Sequence, residues 1–133
     1  MQITHQDYQR LHTLINHFLT EKREKVSNLE ALRVELEKAK MVDSQKISSD
    51  FITMNSEFEV EDTSLGRLMV FKLVYPQLAD FKNGKLSVLS PLGCALIGCR
   101  AGDEIEFTVP AGKKKVRITR ILYQPEANGM FEL

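Results

Sequence analysis

Cys94 and Cys99 are the two cysteines of the chain, and they lie five residues apart in the stretch SPLGCALIGCRAGDEIEF, Ser90 to Phe107. Three glycines and the acidic pair Asp103-Glu104 share that stretch. A reactive thiol, a dithiol or a metal site is the chemistry it suggests. On one helix, five residues carry the side chain some 140° around the axis, so the thiols would meet neither each other nor a common ion. Zinc needs further ligands, and the histidines, His5, His12 and His17, all stand near the other end of the chain. The two cysteines therefore read as buried packing residues. Asp103-Glu104 adjoins a turn and alternates with Ile105, which is strand behaviour. No Ser-His-Asp or Cys-His arrangement has workable spacing, and no G-x-x-x-x-G-K-[ST] phosphate loop occurs. Neither a cofactor nor a catalytic role is expected.

Two other clusters carry charge. Glu21 and Glu24 offer carboxylates of the kind that hold Mg²⁺, but Lys22, Arg23 and Lys25 interleave with them and would repel a second cation. The mixture reads as a solvated tip. Lys113, Lys114 and Lys115 with Arg117 and Arg120 form a basic patch that would touch nucleic acid or an acidic surface. No aromatics interleave with them, and a solubilising turn is the plainer reading.

The elements that position these residues follow from periodicity. Tyr8, Leu11, Ile15 and Phe18 recur at 3-4-3 spacing after Thr4, a plausible cap, and Leu14 and Leu19 widen the stripe. Leu29, Leu32, Leu36 and Ala39 repeat it after Ser27-x-x-Glu30, a capping box that starts a second helix. One continuous helix over 5–40 would waste that box. The spacing thus predicts an antiparallel helical hairpin, a short coiled coil, over residues 1–42, with helices of about 16 and 13 residues reaching about 20–24 Å. Residues 43–52 are polar and helix-poor and read as a linker. Beyond them the period falls to two. Strands are expected at Glu57–Glu61, Arg67–Tyr75, Leu86–Leu89, Glu104–Val109 and Lys115–Tyr123, with Pro110–Lys113 as a hairpin turn. Glu57, Glu59, Glu61 and Asp62 read as the wet face of an edge strand. Ser90 and Pro91 start a short helix whose apolar face is Leu92, Ala95, Leu96 and Cys99, with Gly98 at its exit and Gly102-Asp103 turning into the next strand. The fold class is α+β: the hairpin, then an antiparallel sheet domain over 53–133 crossed by one helix.

Bulk properties agree. In 133 residues, 43% hydrophobic, a real core can be buried, and 18 acids balance 18 bases, which argues against tight sequence-independent binding of nucleic acid. No apolar run reaches the roughly 18 residues of a membrane span and the first residues lack a signal-peptide layout, so the expected setting is the cytoplasm, with no membrane partner.

The run Leu73-Val74-Tyr75-Pro76, then Leu86-Ser87-Val88 leading into Pro91-Leu92-Gly93-Cys94-Ala95-Leu96-Ile97-Gly98, then Gly102-Asp103 and Tyr123-Gln124-Pro125-Glu126, resembles the C-terminal domain of the Gre transcription-elongation factors. Within that family it looks most like the branch of regulators of nucleoside diphosphate kinase. The likeness spans about residue 41 onward, with Met54-Asn55-Ser56 at its entry; the helical part matches in architecture alone. The resemblance implies an FKBP-like C-terminal domain that docks beside the secondary channel of bacterial RNA polymerase and a coiled coil that enters it, with nucleic acid touched only indirectly and the bound protein a monomer. The family's Asp-Ser-Pro docking loop falls on Leu89, Ser90 and Pro91, where the acid is replaced. Cleavage-active members carry a G-D-L-x-E-N-type tip and longer arms; nothing between Thr20 and Leu29 reproduces that tip. The expectation is a polymerase-binding regulator that occupies the channel without stimulating transcript cleavage and competes with longer-armed factors. The alternatives are a cleavage-stimulating factor using Glu21 and Glu24, or a module unrelated to transcription that dimerises through its helical seam.

Overall fold

The computed structural model describes residues 2–20, 27–43, 45–109 and 112–129. It is an α+β fold with few helices and a five-stranded mixed sheet. β1 (Gln2–Thr4) leads into α1 (His5–Thr20), and α2 (Ser27–Lys38) leads into β2 (Lys40–Val42). The two short strands, which periodicity over three residues is too brief to reveal, pair in parallel, Gln2 with Lys40 and Thr4 with Val42. They hold the entry to α1 beside the exit of α2. Thr4 caps α1 as its sequence position suggests: its Oγ1 accepts the Asp7 N–H at 3.1 Å.

The sheet consists of β3 (Glu57–Asp62), β4 (Arg67–Val74), β5 (Lys85–Ser87), β6 (Glu104–Val109) and β7 (Gly112–Tyr123), in the order β5-β4-β3-β7-β6. Two expectations are corrected here. The sheet is not wholly antiparallel, because β5 runs parallel to β4. Residues 75–84 provide the crossover, through 3₁₀ turns at Pro76–Leu78 and Phe81–Asn83, and so turn the chain back to its original direction. β3 is not an edge strand but the central one, between β4 and β7. Its glutamates face water on one side while neighbours on both flanks satisfy its backbone, a pattern that alternation alone cannot distinguish from an edge. β6 closes on β7 with Val109 opposite Gly112, so Lys113 belongs to the strand; Pro110 and Ala111 lie outside the described residues.

On its inner face the sheet buries Phe58, Val60, Phe71, Leu73, Val116 and Ile118. They form one core with Leu11 and Ile15 of α1, Leu32 and Leu36 of α2, and Leu96 of α3 (Pro91–Leu96), which lies against α2 and β6. At about 25 cal/mol per Å² of apolar surface, removing such side chains from water is the main force joining helices to sheet. Residues 48–56, partly within the stretch read as a linker, are stitched to the rest of the chain. Ile52 and residues 98–99 exchange backbone hydrogen bonds, Ile52 N–H to Cys99 O at 2.7 Å and Gly98 N–H to Ile52 O at 3.0 Å. The Gln124 amide donates to the carbonyls of Ser48 and Phe51, both at 2.8 Å.

Candidate functional site

The loop Leu89-Ser90-Pro91 leaves β5 and enters α3, and local chemistry holds its backbone in one shape. The Leu89 N–H donates to Ser87 Oγ at 3.1 Å. Ser90 has extended backbone angles, φ −67° and ψ 157°, and its hydroxyl donates to Ser87 O at 2.7 Å while accepting the Gly93 N–H at 3.0 Å. Pro91 occupies the first turn, where a missing N–H leaves nothing unpaired. Gly93 makes the approach possible, because a Cβ there would stand 2.0 Å from Ser87 O. Leu89, Ser90 and Pro91 are each half-buried, presented on a fixed backbone.

The same stretch settles the question of the cysteines. The Cys94 thiol donates to Val88 O at 3.1 Å and the Cys99 thiol to Ala95 O at 3.2 Å, and neither forms a disulfide. Burial, with a smaller push from Asp103, raises the Cys99 thiol to about 11, which keeps it protonated and poorly nucleophilic. Cys99 lies beyond the end of α3, which stops at Leu96, so it belongs to the exit turn and not to the helical face. Gly98 in that turn has φ +76°, as a helix exit requires.

The basic patch is diluted by acids from both neighbouring strands. Lys113 Nζ lies 3.6 Å from Glu106 Oε1, Arg117 Nη2 3.2 Å from Glu61 Oε1, and Arg120 Nη2 3.2 Å from Glu59 Oε2. Lys114 and Lys115 are exposed in the same strand. The sheet order also sets this patch apart from the Leu89–Pro91 loop: β7 and β6 end one side of the sheet, and the loop leaves β5 on the other. The third group of candidates, Glu21, Lys22, Arg23, Glu24 and Lys25, lies outside the described residues.

What the sequence reading missed is a buried polar knot where α1 meets the sheet. The Asp7 side chain, on a residue only 2% exposed, accepts the Met54 N–H at 3.1 Å. Next to it the Thr53 hydroxyl donates to Glu126 Oε1 at 2.5 Å and lies 2.8 Å from Ser56 Oγ, which also accepts the Thr53 N–H at 2.9 Å. Burial pushes the Asp7 carboxyl up to about 7; the Met54 N–H opposes the shift and the Glu126 charge adds to it. Burial likewise raises Glu126, against the Thr53 hydroxyl. A signal was available. Asp7, Leu11 and Ile15 are spaced i, i+4, i+8, which places the carboxylate on the apolar stripe itself. The Thr53 and Ser56 hydroxyls beside Glu126 are buried away from solvent, and the chemistry of the knot is that of a fastener.

Among the described residues, no helix is long and apolar enough to cross a membrane. The family model described as transcription elongation factor, GreA/GreB, C-terminal, matches residues 46–123. Over 105 residues the chain is 38% identical to the regulator of nucleoside diphosphate kinase of Escherichia coli (strain K12), covering 78% of this chain and 77% of that protein. It is 34% identical to the transcription elongation factor GreA of Rhodospirillum rubrum, over 76% of this chain and 67% of that one. A solved structure of a GreA/GreB elongation factor from Nitrosomonas europaea superposes with a TM-score of 0.74 at 33% identity, covering 92% of this chain and 98% of that one. Of the knot, Thr53, Met54 and Ser56 lie within residues 46–123 and Glu126 just beyond them, and the Leu89–Pro91 loop lies inside the same span. The chain belongs to the GreA/GreB family of transcription elongation factors.

Proposed function

We propose that this protein binds bacterial RNA polymerase and occupies its secondary channel without stimulating transcript cleavage, competing there with longer-armed members of its family. In this reading residues 1–42 form an antiparallel helical arm, 43–52 connect it, and 53–133 form an FKBP-like docking domain whose contact is made by Leu89, Ser90 and Pro91. The observation that carries it is the length of the arm. α1 has 16 residues and α2 has 12. At 1.5 Å per residue they extend about 24 and 18 Å, short of what delivering a metal to the floor of a deep channel requires.

Three further features support the reading. The apolar seam of the arm is already used within one chain, since Leu11, Ile15, Leu32 and Leu36 are each at most 2% exposed, and this favours a monomer over a dimer formed through that seam. Between α1 and α2 the sequence has Glu21 and Glu24 among Lys22, Arg23 and Lys25, a weak setting for a second Mg²⁺. The patch of Lys113, Lys114, Lys115 and Arg117, with acids between its cations, suits a solvated surface and not a nucleic-acid groove.

Retention of core polymerase by the tagged protein, and its release by an excess of GreA, tests the reading directly. The expected result is competition, with no shortening of the transcript when stalled complexes are incubated with the protein and Mg²⁺. Shortened transcripts would transfer the assignment to cleavage through Glu21 and Glu24. Absence of retention would end the polymerase reading.

A further inference from the structure

From Leu86 to Cys99 the sequence has no aspartate, glutamate, lysine, arginine or histidine, although charged residues make up 27% of the chain. Packing explains part of that run, since Leu86, Val88, Leu96 and Ile97 belong to the core. It does not explain Leu89, Ser90, Pro91 and Leu92, which are half-buried and keep one side in solvent. The solvent face of the sheet, by contrast, carries Glu59, Glu61, Arg117 and Arg120. Charge returns only at the two ends of the run, with Lys85 and Arg100, both exposed.

The polar groups of the loop are turned on the loop itself. A hydroxyl has one proton to give, and that of Ser90 goes to Ser87 O while the same oxygen takes the Gly93 N–H. Ser87 holds the other side: its carbonyl also accepts the Ser90 N–H at 3.1 Å, and its hydroxyl accepts the Leu89 N–H. Ser90 therefore cannot donate to a partner without releasing the turn that displays its neighbours. What remains for a partner is the part of Leu89, Pro91 and Leu92 that stays in solvent. Such a surface is stabilised when an apolar one covers it, whereas a charge brought against it would lose its water and find no counter-charge. We propose that Leu89 is the specificity-determining residue of the contact, seated in an uncharged, apolar recess of the polymerase, and that Ser87 and Ser90 are positioning residues acting through the backbone. The inference rests on the polymerase reading above and names the chemistry of its docking loop. Holding the loop in one shape before binding lowers the entropy lost on contact, which is how the two serines raise affinity without touching the partner.

Titration of core polymerase with the full-length chain, at about 0.1 and 0.5 M salt, tests it. Leu89→Ala should weaken binding about 10-fold and by the same factor at both concentrations, because an apolar contact is not screened. Leu89→Asp should weaken it at least as much. Ser90→Ala, which loses both bonds of the hydroxyl, should cost about 5-fold, and Ser90→Thr, which keeps them, should bind as the wild type does. Circular dichroism at the assay temperature confirms that each variant is folded. Tighter binding by Leu89→Asp would overturn the apolar recess in favour of a cationic one. A Ser90→Thr variant as weak as Ser90→Ala would overturn the positioning role and put the hydroxyl at the interface. Wild-type retention with Leu89→Ala binding equally well would overturn the recess while leaving the polymerase reading in place. Failure of the wild-type chain to bind refutes both readings together.

Discussion

Two polar regions of this molecule contain almost the same side-chain types and behave in opposite ways. In the knot, Asp7 and Glu126 are buried among Thr53, Ser56 and Met54, and both carboxyls are pushed upward by the loss of water. On the outer sheet face, half-buried Glu59 and Glu61 pair with exposed Arg120 and Arg117. There the Thr119 hydroxyl, followed by Arg120, holds Glu59 below the ordinary carboxylate range. The knot has few donors and no solvent, so each hydrogen bond matters, because an orphaned group cannot turn to water. The sheet face has charge complementarity and unlimited solvent, so each pair is replaceable. The carboxyls of the knot thus rest on neutral hydrogen-bond donors, and those of the sheet face on cations.

The largest expected effect that bears on this contrast is a dependence of stability on pH. The folded protein keeps the Asp7 proton up to about pH 7, whereas an unperturbed aspartate loses it near 3.8. Folding therefore takes up a proton between those values. The stabilisation is complete below pH 3.8 and is lost as pH rises through 7, a change of about 4 kcal/mol for a difference of this size. Urea unfolding between pH 4 and 8 measures it. Asp7→Asn, which keeps an acceptor for the Met54 N–H, should flatten most of the curve, and a wild-type curve already flat would place Asp7 in water. Next in size, Thr53→Val strips the Glu126 carboxyl of its hydroxyl donor and should cost about 2 kcal/mol in the same assay at neutral pH. A loss too small to resolve would mean that Glu126 finds another partner. Smallest of all, the double change Arg117→Ala with Arg120→Ala should leave the unfolding midpoint where it is. A clear drop in that midpoint would break the contrast from the other side.

How far the sequence was legible follows the same division. The 3-4-3 stripes located both helices, and α2 begins at Ser27, where the capping box places it. Ser90-Pro91 marked the start of α3, alternation marked β3, and the long apolar run closed by Pro76 marked β4. These are local signals, carried by residues within one turn or one strand. The parallel pairing of β5 with β4, the central place of β3 and the β1–β2 ribbon were not legible, because strand order depends on which partner the chain reaches after a crossover. The candidate site divides likewise. The backbone of the Leu89–Pro91 loop follows from Ser87, Ser90 and Gly93 within seven residues, whereas the dilution of the Lys113–Arg117 patch depends on Glu61 and Glu106 in other strands.

By itself the sequence determined where helices and strands begin, which faces are apolar, and to which family the chain belongs. All of these depend on side-chain type and on spacings shorter than about a dozen residues. Only the tertiary structure decided that Asp7 would meet Met54 and that Thr53 would meet Glu126 across 73 positions. The reason is physical: burial and dielectric are properties of everything packed around a group, and no short stretch of chain contains its own surroundings.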